Sequence, residues 1–266
     1  MSTLEITYRS QCLTRPVTFR LIWPNDIPEE WTRDNPCYRR PTKTLILLHG
    51  YTAGRTEWPD CSPIAQLAMK YNLAVACPDG GIRFYLDGKG SGAAWGEFVG
   101  RELPDYLRKN FGLADCRENT FIGGESMGGF GALHTALAWP ETFDAAIALS
   151  SALIVRQVAN MTPDAPINAT ADYDYYVTTF GEPSRVLESD NNPETLVRRL
   201  KAEGKRLPRL FMACGTEDFL LERNREFHDF LLSEEVPVSY HESPGAHNFE
   251  FWNQWIEPGL QWALDE

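Results

Sequence analysis

Five short apolar runs constrain the fold more than any other feature of the chain: TLILLH (44–49), LAVAC (73–77), TFIGG (120–124), AAIALS (145–150) and RLFMAC (209–214). Each is too short for a core helix, each is bounded by Gly, Pro or Asp, and none alternates with polar residues. Strands buried on both faces of a parallel sheet have this composition, because helices cover the two faces. Helical patterns of suitable length lie between several runs, at about 62–70 and in EFVGRELPDYLRKNFG (97–112) despite Pro104. Repeated strand, helix, strand units imply right-handed crossovers and an open α/β sheet. The N-terminus differs: Leu4, Ile6 and Tyr8, then Val17, Phe19, Leu21 and Trp23, alternate with the period of half-buried antiparallel strands, which predicts an edge hairpin.

A chain of 266 residues is long enough for a large core, and α/β folds of this size are often one domain, so residues 1–266 are expected to form a single unit. The stretch at about 153–206, which includes DYDYYVTTFGEPSRVLESDNNPETL, breaks the alternation and reads as a cap-like insertion over the end of the sheet. The formal net charge of −12 opposes binding to nucleic acid and to anionic membranes. A small neutral or cationic ligand fits better. The beginning of the chain lacks a basic stretch followed by an apolar one, and no apolar run reaches membrane-spanning length, so a cytoplasmic location is expected. The six cysteines carry no CxxC spacing and read as reduced thiols. No HExxH, P-loop or helix-opening GxGxxG occurs, so neither a metal nor another cofactor is expected. The composition leaves homo-oligomerisation open.

Within IGGESMGGFGAL (122–133), GESMG matches GxSxG between a strand and a helix, the setting in which that motif presents a nucleophile. The turn forces Ser126 into strained backbone space, and side chains at Gly124 or Gly128 would crowd it. A glycine-rich turn selected only for helix packing is the bland alternative. A serine hydroxyl also needs a histidine base and an acid to orient that base, in the order Ser, acid, His for this kind of fold. His134 lies two turns along the helix after Ser126 and faces away, His228 sits inside a helix pattern and His241 inside a strand pattern. His247, in SPGAHNFEFW, follows a strand-breaking Pro-Gly and is the expected base. In ACGTEDFL, Asp218 is the expected orienting acid and Glu217 the reserve; both could also cap the helix that follows. The oxyanion hole should use the backbone N–H of Met127 and one from HGYTAGRTEW, either Tyr51 or, as the alternative, Thr52. His49 is expected to fix that loop.

LLHGYTAGRTEW, GRELPDYLRKNFG, FIGGESMGGFGAL, ALSSAL, ACGTEDFL and SPGAHNFEFWNQW together resemble the esterase D-like and tributyrin esterase-like branch of the α/β-hydrolases, from about residue 40 to the C-terminus. The resemblance implies an α/β-hydrolase fold and a serine carboxylesterase acting on acetyl, butyryl or feruloyl esters through an acyl-enzyme, with the triad on Ser126, Asp218 and His247. It ranks an S-formylglutathione hydrolase-like thioesterase second. A hydrolase-fold binding module without catalysis is the rival of another class, disfavoured by a triad complete and in order. Aromatic residues supply the pocket candidates: Trp95, Tyr175, Tyr176 and Trp252, with Tyr51, Phe84, Tyr85 and Tyr173 beside them.

Overall fold

The computed structural model describes residues 1–164 and 171–265; residues 165–170, within the expected insertion, and residue 266 lie outside the described residues. The strands β1 (Ser2–Arg9), β2 (Pro16–Trp23), β3 (Lys43–Leu48), β4 (Leu73–Pro78), β5 (Thr120–Glu125), β6 (Ala145–Leu149), β7 (Arg209–Gly215) and β8 (Val238–Ser243) form one sheet. Their order is β1-β2-β4-β3-β5-β6-β7-β8. β1 and β2 pair antiparallel, and β2 joins β4 antiparallel. From β4 to β8 every pairing is parallel. This is the α/β-hydrolase arrangement, with the N-terminal hairpin as its antiparallel edge.

The continuous apolar runs are explained by the two-residue period of a strand. Leu45, Leu47, Val75, Phe121, Ile147 and Phe211 point to one face, under the helices Ile64–Tyr71 and Phe249–Leu264. Ile46, Leu48, Ala76, Ile122, Ala148 and Met212 point to the other, where Met127–Ala138 and Leu221–Ser233 cover them. β8, at the open edge, is half-buried along its whole length.

Pro104 is accommodated because the helical stretch from Trp95 to Phe111 is not uniform. A π-helical turn spans Phe98–Glu102, and Pro104 falls near the start of the α-helical segment Leu103–Phe111, where a missing N–H costs little. Glu102, at the end of that turn, accepts from the N–H groups of Gln11 at 3.0 Å and Cys12 at 2.7 Å, tying the helix to the hairpin connection. Between β6 and β7 the chain forms the helices Val155–Ala159, Tyr173–Phe180, Pro183–Val186 and Pro193–Ala202. His134 joins this segment to the helix Met127–Ala138, its Nε2 lying 2.9 Å from the Asp190 carbonyl oxygen. Among the described residues no helix is long and apolar enough to cross a membrane.

Candidate active site

Ser126 stands where β5 turns into the helix Met127–Ala138, with φ 56° and ψ −118°. This is sparsely populated space for a residue with a side chain, and the surroundings hold it there. Its N–H donates to the Leu149 carbonyl at 2.9 Å, and its own carbonyl accepts from Ala152 at 2.9 Å and Phe130 at 3.1 Å. The flanking glycines are steric necessities. A Cβ on Gly124 would lie 2.5 Å from the Gly128 carbonyl, and one on Gly128 would lie 2.3 Å from the Leu48 oxygen.

His247 Nε2 lies 2.9 Å from Ser126 Oγ, and its Nδ1 lies 2.8 Å from Asp218 Oδ2. The Asp218 side chain is fully covered. Burial alone would raise its pKa, but hydrogen bonds from His247, the Leu220 N–H and Ser150 outweigh that and leave it below the ordinary carboxylate value. Glu217 points elsewhere. It accepts from the Gly245 N–H, and its own N–H donates to the Gly245 carbonyl at 3.0 Å, which fastens the loop after β7 to the loop carrying His247. Trp252 presents its ring edge-on to His247 at 5.1 Å and donates from Nε1 to Ser150 Oγ at 3.0 Å. Phe219 lies against the same imidazole at 4.6 Å.

A cavity of about 390 Å³ opens over Ser126 and His247. Gly50, Tyr51 and Met127 line it near the serine, and Phe84, Ile154, Tyr176, Leu220 and Trp252 give it apolar walls. The loop holding Tyr51 is braced from behind by His49, which contacts the Gly50 carbonyl through Nδ1 at 2.7 Å and accepts the Gly80 N–H on Nε2 at 2.8 Å. Burial lowers the His49 pKa, consistent with a neutral ring fixed in one tautomer. Thr52 is exposed, has φ 66° and does not line the cavity.

Of the pocket candidates, Tyr176 and Trp252 border the cavity and Trp95 and Tyr175 do not. Trp95 begins a helix, is packed with Phe98 and lies under the Arg15 guanidinium, which is 4.9 Å from its ring; it borders a separate pocket. Tyr175 sits one layer out, with its ring 5.9 Å from Tyr51 and its hydroxyl donating to the Ile82 carbonyl. Phe84 lines the cavity, Tyr85 is fully buried behind it and Tyr173 is absent from its walls.

Two acids in the cavity wall are absent from the sequence-based reading: Glu57 and Glu125. Glu125 is 1% exposed although it carries a carboxyl. Burial, then the nearby Glu57 charge and a hydrogen bond to Glu57, raise its pKa far above the ordinary value. The available signal was a Glu directly continuing the apolar run TFIGG, a position a doubly covered strand reserves for apolar residues.

Comparison with known proteins agrees with this architecture. The family model "Esterase", described as "Putative esterase", matches residues 10–263, and the chain belongs to this family of α/β-hydrolase carboxylic ester hydrolases. An acetyl esterase of Caldicellulosiruptor saccharolyticus is 39% identical over 262 residues, covering 98% of each chain. Among solved structures, FphF, a fluorophosphonate-binding serine hydrolase of Staphylococcus aureus, superposes with a TM-score of 0.84 at 27% identity, covering 100% of this chain and 99% of that one. The S-formylglutathione hydrolase FrmB of the same organism gives 0.82 at 26% identity, with 99% of both chains covered.

Proposed function

We propose that the chain is a serine esterase for short-chain acyl esters, acetyl esters foremost, working through an acyl-enzyme on Ser126. The observation that carries this reading is the uninterrupted relay from Ser126 Oγ through His247 to the covered Asp218, with contacts of 2.9 and 2.8 Å. His247 takes the serine proton as Oγ attacks the ester carbonyl, and Asp218 stabilises the resulting imidazolium. The N–H groups of Tyr51 and Met127 bind the oxyanion. The alcohol leaves with the proton from His247, and water activated by the same ring then cleaves the acyl-enzyme. Similarity to an acetyl esterase supports a small acyl group. The whole chain forms one catalytic domain in this reading, and the 153–206 insertion caps the cavity with Ile154, Gln157 and Tyr176. Unpaired cysteines at six positions suit a reducing, cytoplasmic setting.

A second reading, thioester hydrolysis of S-formylglutathione, is favoured by the structural likeness to FrmB. Both are tested by assaying p-nitrophenyl esters from acetate to decanoate, methyl ferulate and S-formylglutathione with the wild type and Ser126→Ala. The expected result is turnover of acetate and butyrate esters that falls by about 10⁶-fold in the variant. Retention of the wild-type rate by Ser126→Ala would overturn the assignment, and preference for S-formylglutathione would select the second reading.

A further inference from the structure

Glu125 immediately precedes Ser126 and is two residues from Met127, while Glu57 reaches back to the loop holding Tyr51. Their carboxyls converge on Gly50 in the cavity wall. Glu57 Oε2 accepts the Gly50 N–H at 3.0 Å. Glu125 lies so close above the Gly50 Cα that a Cβ there would be 2.5 Å from its Oε1. The contact therefore links the two chain segments that carry the proposed oxyanion donors, one ending in Gly50-Tyr51 and the other in Glu125-Ser126-Met127.

We propose that Glu57 and Glu125 share one proton and act as positioning residues, a hydrogen-bonded carboxyl pair that fixes the spacing between the two halves of the oxyanion hole. Two facing carboxyls attract only while one is protonated, since like charges this close cannot both ionise cheaply. Glu125 is the proton's residence because it is the more deeply buried of the two. Its O–H donates to Glu57, whose carboxylate also accepts from Gly50. When Glu125 gives its proton to solvent, the attraction becomes repulsion and the Gly50-Tyr51 segment is pushed from the Met127 N–H. Tyr85 donates to the His49 carbonyl at 3.0 Å and is held protonated by burial. His49 is buried and neutral, Asp79 is paired with Arg55 at 2.9 Å, and Tyr51 and His247 line the same cavity.

The inference rests on the esterase reading and is tested by the dependence of kcat and KM on pH, from about pH 6 to about pH 10, for p-nitrophenyl acetate. A catalytic base alone gives a rate that rises with pH and then stays level. The pair adds a fall in kcat at alkaline pH, with KM little moved because the oxyanion forms only in the transition state. Glu125→Gln supplies a permanent N–H donor to Glu57, and Glu57→Gln leaves one ionisable acid without a like-charged neighbour. Both variants are expected to lose the alkaline fall. Glu125→Leu removes the bridge and should lower kcat about 10²-fold at every pH, the scale of losing one oxyanion donor. Infrared difference spectra supply a readout independent of turnover: a protonated-carboxyl C=O band at neutral pH that is absent in Glu125→Gln. An alkaline limb that persists in both Gln variants, a level wild-type profile, or no such infrared band would each overturn the pairing. An inactive wild type would instead count against the esterase reading, with the infrared band still deciding the pair.

Discussion

Asp218 illustrates how much a single covered carboxylate does. One oxygen faces His247 Nδ1 at 2.8 Å and the other accepts the Leu220 N–H at 2.8 Å, so the carboxyl cannot turn without losing a bond. In the proposed mechanism it thereby selects the tautomer in which Nε2 is free to accept the Ser126 proton. Asp218→Asn keeps the shape but offers an N–H where an acceptor is needed, and the imidazole is left with the wrong nitrogen protonated. We expect kcat on p-nitrophenyl acetate to fall by about 10⁴-fold with KM little changed. A loss below tenfold would mean that Asp218 does not orient the base. At this scale the meeting of Ser126, Asp218 and His247 was legible, because each follows a strand run and the chain order restricts the choice. Glu125 and Glu57 were not. A charged residue is read as exposed by default, and only the structure shows that Glu125 is buried and Glu57 half-buried against Gly50. Trp95 and Tyr175 failed for a related reason: aromatic residues serve core and pocket alike, and sequence does not tell which layer a ring occupies.

The helix Met127–Ala138 joins the scales of element and site. It is buried along almost its whole length, glycine-rich at its start so that it can approach β3, and fastened to the segment after β6 by His134. His134 is buried beside Phe130, and burial pulls its pKa from 6.5 down to about 4. Its Nδ1 has no hydrogen-bond partner among the described residues, so a second ring proton would find no acceptor. The folded state thus binds fewer protons than the unfolded chain between those two values. The stabilisation is complete above about pH 6.5 and is lost as pH falls towards about 4, amounting to about 3 kcal/mol. Urea unfolding at a series of pH values should show this decline, and His134→Gln, which keeps a donor for the Asp190 carbonyl, should flatten it. An unchanged slope in the variant would place the pH sensitivity elsewhere. The helix itself was readable from the sequence, as were the strands on either side. The π-helical turn at Phe98–Glu102 was not, because nothing in FVGRE announces that Glu102 will reach the hairpin connection.

In the molecule as a whole, the cavity lies where loops from the carboxyl ends of β3, β5 and β7 converge, the place where an open parallel sheet leaves room for a ligand. The segment after β6 closes its far side through Ile154, Gln157 and Tyr176. Its contacts with the cavity could not be anticipated: they depend on the short helices Val155–Ala159 and Tyr173–Phe180 and the residue before the first of them. Tyr176 is 4% exposed and is held by Phe180, at 6.4 Å, and Tyr175, at 5.3 Å, both outside the cavity. The ring is therefore a fixed wall, and truncating it should enlarge the cavity without moving Ser126 or His247. Each added methylene that can then be buried contributes about 0.8 kcal/mol to binding in the transition state. For Tyr176→Ala the preferred chain in the p-nitrophenyl series should lengthen by roughly two or more carbons, with kcat/KM for the octanoate ester rising about tenfold relative to acetate. If the order of preference were unchanged, the acyl chain would have to lie along a different wall, with Phe84 and Leu220 the next residues to truncate.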